Sequence, residues 1–486
     1  MLSAQYANVK KRMGNLVKAR FLIFVSYWFV TSQLVGNVPL SGQRIEDRTS
    51  FRKLDNGLAV VLIRRDDVPT ITATCGFKAG GVDDPPGFSG TAHLVEHLMA
   101  RAMRDPFQMK TLYGELSREY FMGGEADPKK IKDLETKIAG FERQIKEVEL
   151  IAATTFDFVY YLGTFSSSQL ELFCRMGSEL LKGRLPEGVV RERETLLAER
   201  KRVWDVSAGN FGEQIQALTF GNRPYGRSVA GRPNEILGIT PAVALDFKKR
   251  HYIPNNCVFV FVGDLNPKAL FPLIEKYFGN IPRGEEPQPI KTSDSPARLE
   301  RRLVLEVETK PEILINFIKP AFPHKDDLVS RVLGIILTKG DRSRLNLDLI
   351  ITRKIADEVA LGWGPGERYE NAYGFSAVPN AGHPPEEVET ALLKQLERLK
   401  TDPVDEDELQ NAKDEIANDL DVETQSALQM AMTALRYQLI HGDWRLGLRT
   451  REFCKGVTPN DIREFARKYF TPENRTTIIF MKKGHG

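Results

Sequence analysis

The sequence predicts an α+β protein built from two related domains, and three observations predict it. Short apolar runs that suit strands are interleaved with longer stretches of helical period throughout the 486 residues. A segment with proline, charge and serine but no periodicity, Gly284 to Pro289 and on through Ser293 to Pro296, marks a boundary between two halves. The ends of those halves repeat each other. The first half closes with Phe247-Lys248-Lys249-Arg250-His251-Tyr252-Ile253-Pro254-Asn255-Asn256 and a strand Val258 to Val262. The second closes with Phe465-Ala466-Arg467-Lys468-Tyr469-Phe470-Thr471-Pro472-Glu473-Asn474 and a strand Thr476 to Phe480. Phe, a basic residue, Pro and Asn recur at one offset of 218 positions, which reads as duplication of a whole domain. The expected division is a leader at 1–45, a first domain at 46–284 with a helical insertion at about 105–149, a linker at 285–298 and a second domain at 299–486.

Along the first domain, Leu58 to Ile63 and Thr70 to Phe77 read as strands, with Asn56-Gly57 turning the chain before the first. Gly80 to Gly87 is a loop, and Ser89 to Arg104 is expected to be helical. Asp127-Pro128 opens a further helix, with the acid as cap and the proline in the first turn. Its apolar residues Ile131, Leu134, Ile138, Phe141, Ile145 and Val148 alternate three and four apart, a seam expected to pack on the upstream helix Phe107 to Tyr120 across Gly123-Gly124. A strand is expected over Ala152 to Tyr161 and a helix over Val189 to Trp204.

Composition narrows function. Hydrophobic residues make up 42% of the chain, enough for real cores. With 68 Lys+Arg against 65 Asp+Glu the net charge is only +3, which argues against a dedicated nucleic-acid binder. The four cysteines, Cys75, Cys174, Cys257 and Cys454, form no C-x-x-C pattern, so a thiolate zinc cluster and a disulfide scaffold are both disfavoured. The first acid is Glu46; five basic residues between Lys10 and Arg20 precede the uncharged run Phe21 to Val30. A basic segment followed by a short apolar stretch predicts export, as a signal peptide or an N-terminal membrane anchor of a bacterial periplasmic or membrane-anchored protein. A mitochondrial transit peptide is the alternative.

The chemistry concentrates at His93-Leu94-Val95-Glu96-His97. Two imidazoles four apart on one helix face can reach a single ion, and Glu96 shares that face. A carboxylate there can take a proton from a water activated by the ion. The string arises by chance in roughly one chain of this length in a hundred. Apolar Leu94, Val95, Leu98 and Met99 half-bury the helix, where idle histidines are costly. A third ligand is required. Glu192, Glu194 and Glu199 are the downstream acids, and Glu192 and Glu199, seven apart, share a face that helical period alone cannot divide between them. The remaining histidines, His251, His324, His383, His441 and His485, stand apart. Arg342 and Arg344 beside Gly340 are a candidate carboxylate-binding pair.

Phe77 to Gly81 followed by Gly90-Thr91-Ala92-His93-Leu94-Val95-Glu96-His97-Leu98 resembles the pitrilysin/insulinase family of zinc metallopeptidases. Glu192 to Glu199, Arg223-Pro224-Tyr225-Gly226, Tyr252 to Asn256, Val262-Gly263-Asp264 and Ser343-Arg344-Leu345 resemble further segments of that family. The resemblance spans about residues 50 to 480. It implies two homologous α/β-sandwich domains, the first catalytic and the second not, in a half-size chain similar to bacterial processing-peptidase-like proteins. It implies one Zn2+ held by His93, His97 and Glu199, with Glu96 as general base and Glu192 as an auxiliary catalytic carboxylate that does not ligate. It implies peptide or unfolded polypeptide substrates, cleaved in a chamber completed by a second copy or a related subunit, as homodimer or heterodimer. A non-catalytic scaffold of the same fold is the alternative. The sequence departs from the family where relatives carry an Asn that contacts bound peptide; Ile151 stands there instead and cannot make that hydrogen bond.

Overall fold

The computed structural model describes residues 45–104, 107–122, 126–146, 148–182, 184–202, 209–290, 300–307 and 310–483. The leader, the Gly123-Gly124 turn and most of the linker lie outside the described residues, so the expectations made for them have no structural counterpart. Two sheets organise the chain. The first contains β1 (Thr49–Lys53), β2 (Ala59–Arg64), β3 (Ile71–Phe77), β4 (Glu149–Thr154), β5 (Val159–Phe165) and β6 (Cys257–Gly263), in the order β1-β2-β6-β3-β5-β4. The second contains β7 (Arg301–Val307), β8 (Glu312–Lys319), β9 (Ala356–Trp363), β10 (Asn371–Pro379) and β11 (Arg475–Lys482), in the order β7-β11-β8-β10-β9. Setting β1 aside, the two orders coincide, including a single parallel pair at the same place, β2 with β6 and β7 with β11.

The duplication extends to individual hydrogen bonds. Helices α1 (Thr91–Arg104), α2 (Phe107–Phe121), α3 (Pro128–Lys146), α4 (Leu170–Leu181), α5 (Val189–Arg200), α6 (Gly209–Phe220), α7 (Pro233–Gly238), α8 (Pro241–His251) and α9 (Pro267–Phe278) belong to the first half. The second half has α10 (Lys325–Thr338), α11 (Pro385–Arg398), α12 (Glu406–Glu423), α13 (Ala427–His441) and α14 (Pro459–Tyr469), with shorter helical turns between the last two. Thr240 caps α8 through the Val243 N–H, and Thr458 caps α14 through the Asp461 N–H, each followed by Pro in the first turn. The Asn256 amide donates to the carbonyls of His251 and Lys78; the Asn474 amide donates to those of Tyr469 and Ile318. The repeated Asn therefore ties the end of its helix to the end of the neighbouring strand, β3 in one half and β8 in the other.

Each sheet buries one face against helices of its own half. Residues of β2, β3, β5 and β6 pack with α1, α4, α8 and α9, and residues of β8, β9 and β10 pack with α10, α11 and α14. The other face of each sheet is covered from across the linker. Met430, Ala431, Ala434, Leu435 and Leu439 of α13 pack on Val61, Tyr160, Val258 and Val260 of the first sheet. Reciprocally, Phe211, Ile215 and Leu218 of α6 pack on Leu303, Leu314, Ile478 and Phe480 of the second. Two-sided burial is why β2, β3 and β6 read as continuous apolar runs.

The structure adjusts three expectations about elements. The expected strand Ala152 to Tyr161 is two strands, because the Thr155 hydroxyl accepts the N–H groups of Asp157 and Phe158 and folds the chain into a turn between β4 and β5. Helix α1 begins at Thr91 rather than Ser89, since the cap comes from Asp84, whose carboxylate accepts the N–H groups of Gly90 and Ala92, both at 2.7 Å. Helix α3 ends at Lys146, so Val148 belongs to the following turn; Leu134, Ile138 and Phe141 are buried as the seam predicts, and α3 packs along α2.

Candidate metal centre

Two helices from different parts of the first half build the centre. Helix α1 buries Ala92, Leu94, Val95, Leu98 and Met99, which leaves His93, Glu96 and His97 on the opposite side of the turn. At its N-terminus Gly90 has φ 89°, and Gly231 has φ 76° with its backbone so close that a Cβ there would fall 2.5 Å from the Ser89 carbonyl oxygen. Glycine is needed at both for the loop ending at Gly231 to lie against the start of α1. Helix α5 crosses α1 and offers Glu192 and Glu199.

These carboxylates grip one imidazole from opposite ends. Glu192 Oε1 lies 3.0 Å from His97 Nδ1, and Glu199 Oε2 lies 3.4 Å from His97 Nε2. With Nδ1 engaged by a carboxylate acceptor, one proton belongs there, which leaves Nε2, on the Glu199 side, as the nitrogen that would ligate a metal ion. One donor atom each from His93, His97 and Glu199 fall within 4.8 Å of one another. Ligands bound to a tetrahedral zinc at about 2.0–2.1 Å sit roughly 3.4 Å apart. The residues present therefore fit a zinc ion after a small inward movement, and the two-imidazole, one-carboxylate set is one that zinc accepts with a fourth position open. Glu192 is the carboxylate left outside this triangle.

Glu96 faces the same space, with Oε2 3.9 Å from His93 Nε2. It is buried, and burial pushes its carboxyl up to about 7. The Thr154 hydroxyl, at the end of β4, donates to its Oε2 at 3.4 Å. Burial lowers His93 to about 4, so its ring is neutral at physiological pH. For His97 burial acts in the same direction, but the carboxylates of Glu199, Glu96 and Glu192 outweigh it and raise the ring to about 9 while no cation competes for it. The hydrogen bond from His97 in turn lowers Glu199.

Several neighbours escaped sequence reasoning. Arg101, four residues after His97 on α1, places Nη1 3.4 Å from Glu192 Oε2, so Glu192 is held between a cation and an imidazole; its i+4 spacing from His97 was the available signal. Thr154 carried none, because its contact depends on where β4 ends. Beneath α1 the Tyr161 hydroxyl pairs with that of Tyr252 at 3.0 Å. Elsewhere, Arg344 is bound through two nitrogens to Glu408 at 2.8 and 2.7 Å, so it is an internal tie rather than half of a free carboxylate-binding pair. His324 caps α10, His383 pairs with Glu387, and His251 is buried against Phe247. The Cys75 and Cys257 sulfurs lie 3.5 Å apart in the apolar core, where burial raises the Cys75 thiol well above its usual range.

Comparison with known proteins agrees with this architecture. A family profile described as Peptidase M16 inactive domain matches residues 238–416. The zinc protease PqqE of Helicobacter pylori is 24% identical over 442 residues, covering 88% of this chain and 91% of that one. Over most of its length the chain is therefore similar to M16 (pitrilysin/insulinase-like) peptidases. The mitochondrial-processing peptidase subunit beta of Saccharomyces cerevisiae is 23% identical over 53% of this chain and 50% of that one. Among solved structures, a protease from Helicobacter pylori superposes with a TM-score of 0.71 at 21% identity, covering 89% of this chain and 99% of that one. The first half of the periplasmic protease PqqL from Escherichia coli gives 0.70 at 15% identity, covering 90% and 92%. The M16 fold is thus shared across the whole two-sheet body. The profile match begins after Glu199 and so does not include the candidate centre.

Proposed function

We propose that this chain is a zinc-dependent endopeptidase that cleaves peptides or unfolded polypeptide segments. The observation that carries the reading is the convergence of His93, His97 and Glu199 from two helices, with the buried carboxylate of Glu96 facing the same space. A zinc ion there would supply Lewis acidity toward a peptide carbonyl and toward water. Glu96 is the proton carrier: raised to about 7 by burial, it can accept a proton near neutral pH and return it to the leaving amine. Thr154 orients Glu96, and Glu192 with Arg101 orients His97, which is the auxiliary role assigned to Glu192. An extended peptide adds to the outer edge of β4, the terminal strand of the first sheet, through main-chain hydrogen bonds that demand little of its sequence. Ile151 on that strand is 48% exposed and favours an apolar contact where relatives offer an amide.

The first half, 46–284, is then the catalytic unit and 299–486 its non-catalytic partner. A second copy or a related subunit completes an enclosed chamber, and the relatives named as a processing-peptidase subunit and within complex III of Candida albicans accord with assembly. Export follows from the leader, with a mitochondrial address as the alternative; among the described residues no helix is long and apolar enough to cross a membrane. A scaffold reading draws on the profile's description as an inactive domain. Zinc content separates the two, because a scaffold retains none. The decisive test is Glu96→Gln. The variant should fold, keep its zinc and lose at least about a hundredfold in peptide hydrolysis; hydrolysis at the wild-type rate would overturn the proposal.

A further inference from the structure

A cavity of about 360 Å³ opens beside the start of α1, between the Pro85–Ser89 loop, the turn at Pro224–Gly226 and the first turn of α7. Three guanidinium groups line it. Arg223 is committed to Glu370, with Nε at 3.1 Å. Arg227 gives Nη1 to the Asp84 carbonyl at 2.9 Å and has no carboxylate partner among the described residues, since the Asp84 carboxylate is turned to the N–H groups of Gly90 and Ala92. Arg232 lies 3.7 Å from Glu235, outside hydrogen-bonding distance, and Glu235 already accepts the Ser89 N–H at 2.9 Å. The cavity wall also holds Ser228. That residue is buried to 7% exposure, and its hydroxyl has no hydrogen-bond partner among the described residues. Buried hydroxyls are ordinarily satisfied, so an orphan one on the wall of a polar cavity, beside Arg227 with no carboxylate partner and Arg232 in only a loose ion pair with Glu235, indicates a missing acceptor.

We propose that this cavity is an oxoanion site, taking a carboxylate or phosphate group between Arg227 and Arg232 with the Ser228 hydroxyl as a further donor. Planar guanidinium forks match both anions. The site adjoins the candidate metal centre. Ser89 lies one helical turn ahead of His93, and its hydroxyl accepts the Arg232 N–H at 2.9 Å. The opposite wall is tied to α5 by Arg193, which donates to the carbonyls of Leu237 and Ile239, and by Arg200, which donates to that of Gly231. An anion held here is either an acidic group of the bound peptide, which rests on the peptidase reading, or a free anion, which does not.

Calorimetric titration of the zinc-loaded full chain with inorganic phosphate, at constant ionic strength, tests the site. Wild type should bind phosphate saturably. Arg227→Ala/Arg232→Ala, in which both changed side chains are exposed and the metal triad is untouched, should bind at least about tenfold more weakly at equal zinc content. Absence of saturable binding to wild type overturns the site; equal binding by both proteins does so too, because the phosphate is then on the metal. Hydrolysis of two peptides differing only in Glu against Gln tells the sources apart. A preference for the acidic peptide that disappears in the double variant assigns the anion to substrate, and a preference unchanged while phosphate binding is lost assigns it to a free anion. If neither peptide is cleaved by wild type, the peptidase reading fails while the phosphate result stands.

Discussion

The imidazole of His97 is the pivot of the centre, because Glu192 engages one of its nitrogens and Glu199 faces the other. That division of labour explains what the sequence could and could not reveal. The H-x-x-E-H string is legible because its members sit on one helix and their spacing alone puts them on one face. Glu192 and Glu199 also share a face, and both reach the same ring, so periodicity could not decide between them; the family resemblance pointed to Glu199, and in the structure Glu199 is the acid whose oxygen groups with both imidazoles. The two substitutions should therefore behave differently. Glu199→Ala removes a donor from the triangle, and purified protein should carry little zinc by elemental analysis. Glu192→Ala leaves all three donors, and competition with a chromogenic chelator should show zinc bound about 10–100-fold more weakly than in wild type. Equal losses in the two variants would contradict the assignment.

Among the secondary-structure elements, close approach across the linker matters most. A Cβ on Gly76 in β3 would lie 2.8 Å from a Leu439 methyl and 2.9 Å from one of Leu435, both on α13. Those methyls end flexible side chains, so Gly76→Ala should be tolerated at a cost of about 1–3 kcal/mol, read from urea unfolding. The second half carries its own buried electrostatic tie. Asp327 on α10 is held by Lys319 at the end of β8 and by Arg331, with Nε at 2.9 Å. Burial would raise its carboxyl, but the two cations prevail and hold it down at about 2, below an unfolded value of 3.8. A depressed acid stabilises above its unfolded pKa. The contribution, about 2 kcal/mol, is therefore complete above about pH 4 and disappears as pH falls toward 2. Asp327→Asn takes the carboxylate from buried Lys319 and from half-buried Arg331 and should cost about 3 kcal/mol at pH 7, with less of the stability loss between pH 4 and 2 that wild type shows. Strand and helix positions were largely legible from period and cap residues. Where they were not, at Thr155 and Asp84, a polar side chain rewrote the local backbone through hydrogen bonds that carry no periodic signature.

At the scale of the molecule, the duplication was legible because its repeated Pro and Asn do the same work twice. The exchange of α13 and α6 between the sheets was not, since it depends on contacts between elements far apart in sequence, such as α13 with β6. Each half alone would expose one apolar sheet face. Residues 46–284 produced alone should aggregate by light scattering, whereas the full chain cut by protease within 285–298 should elute as one particle containing both fragments. Whether three side chains from two helices hold one divalent cation is read from a zinc-edge anomalous difference map of crystals of the full chain. One strong peak within about 2.2 Å of donor atoms of His93, His97 and Glu199 is expected. A map with no peak there, or with Glu192 in the place of Glu199, would contradict that ligand set.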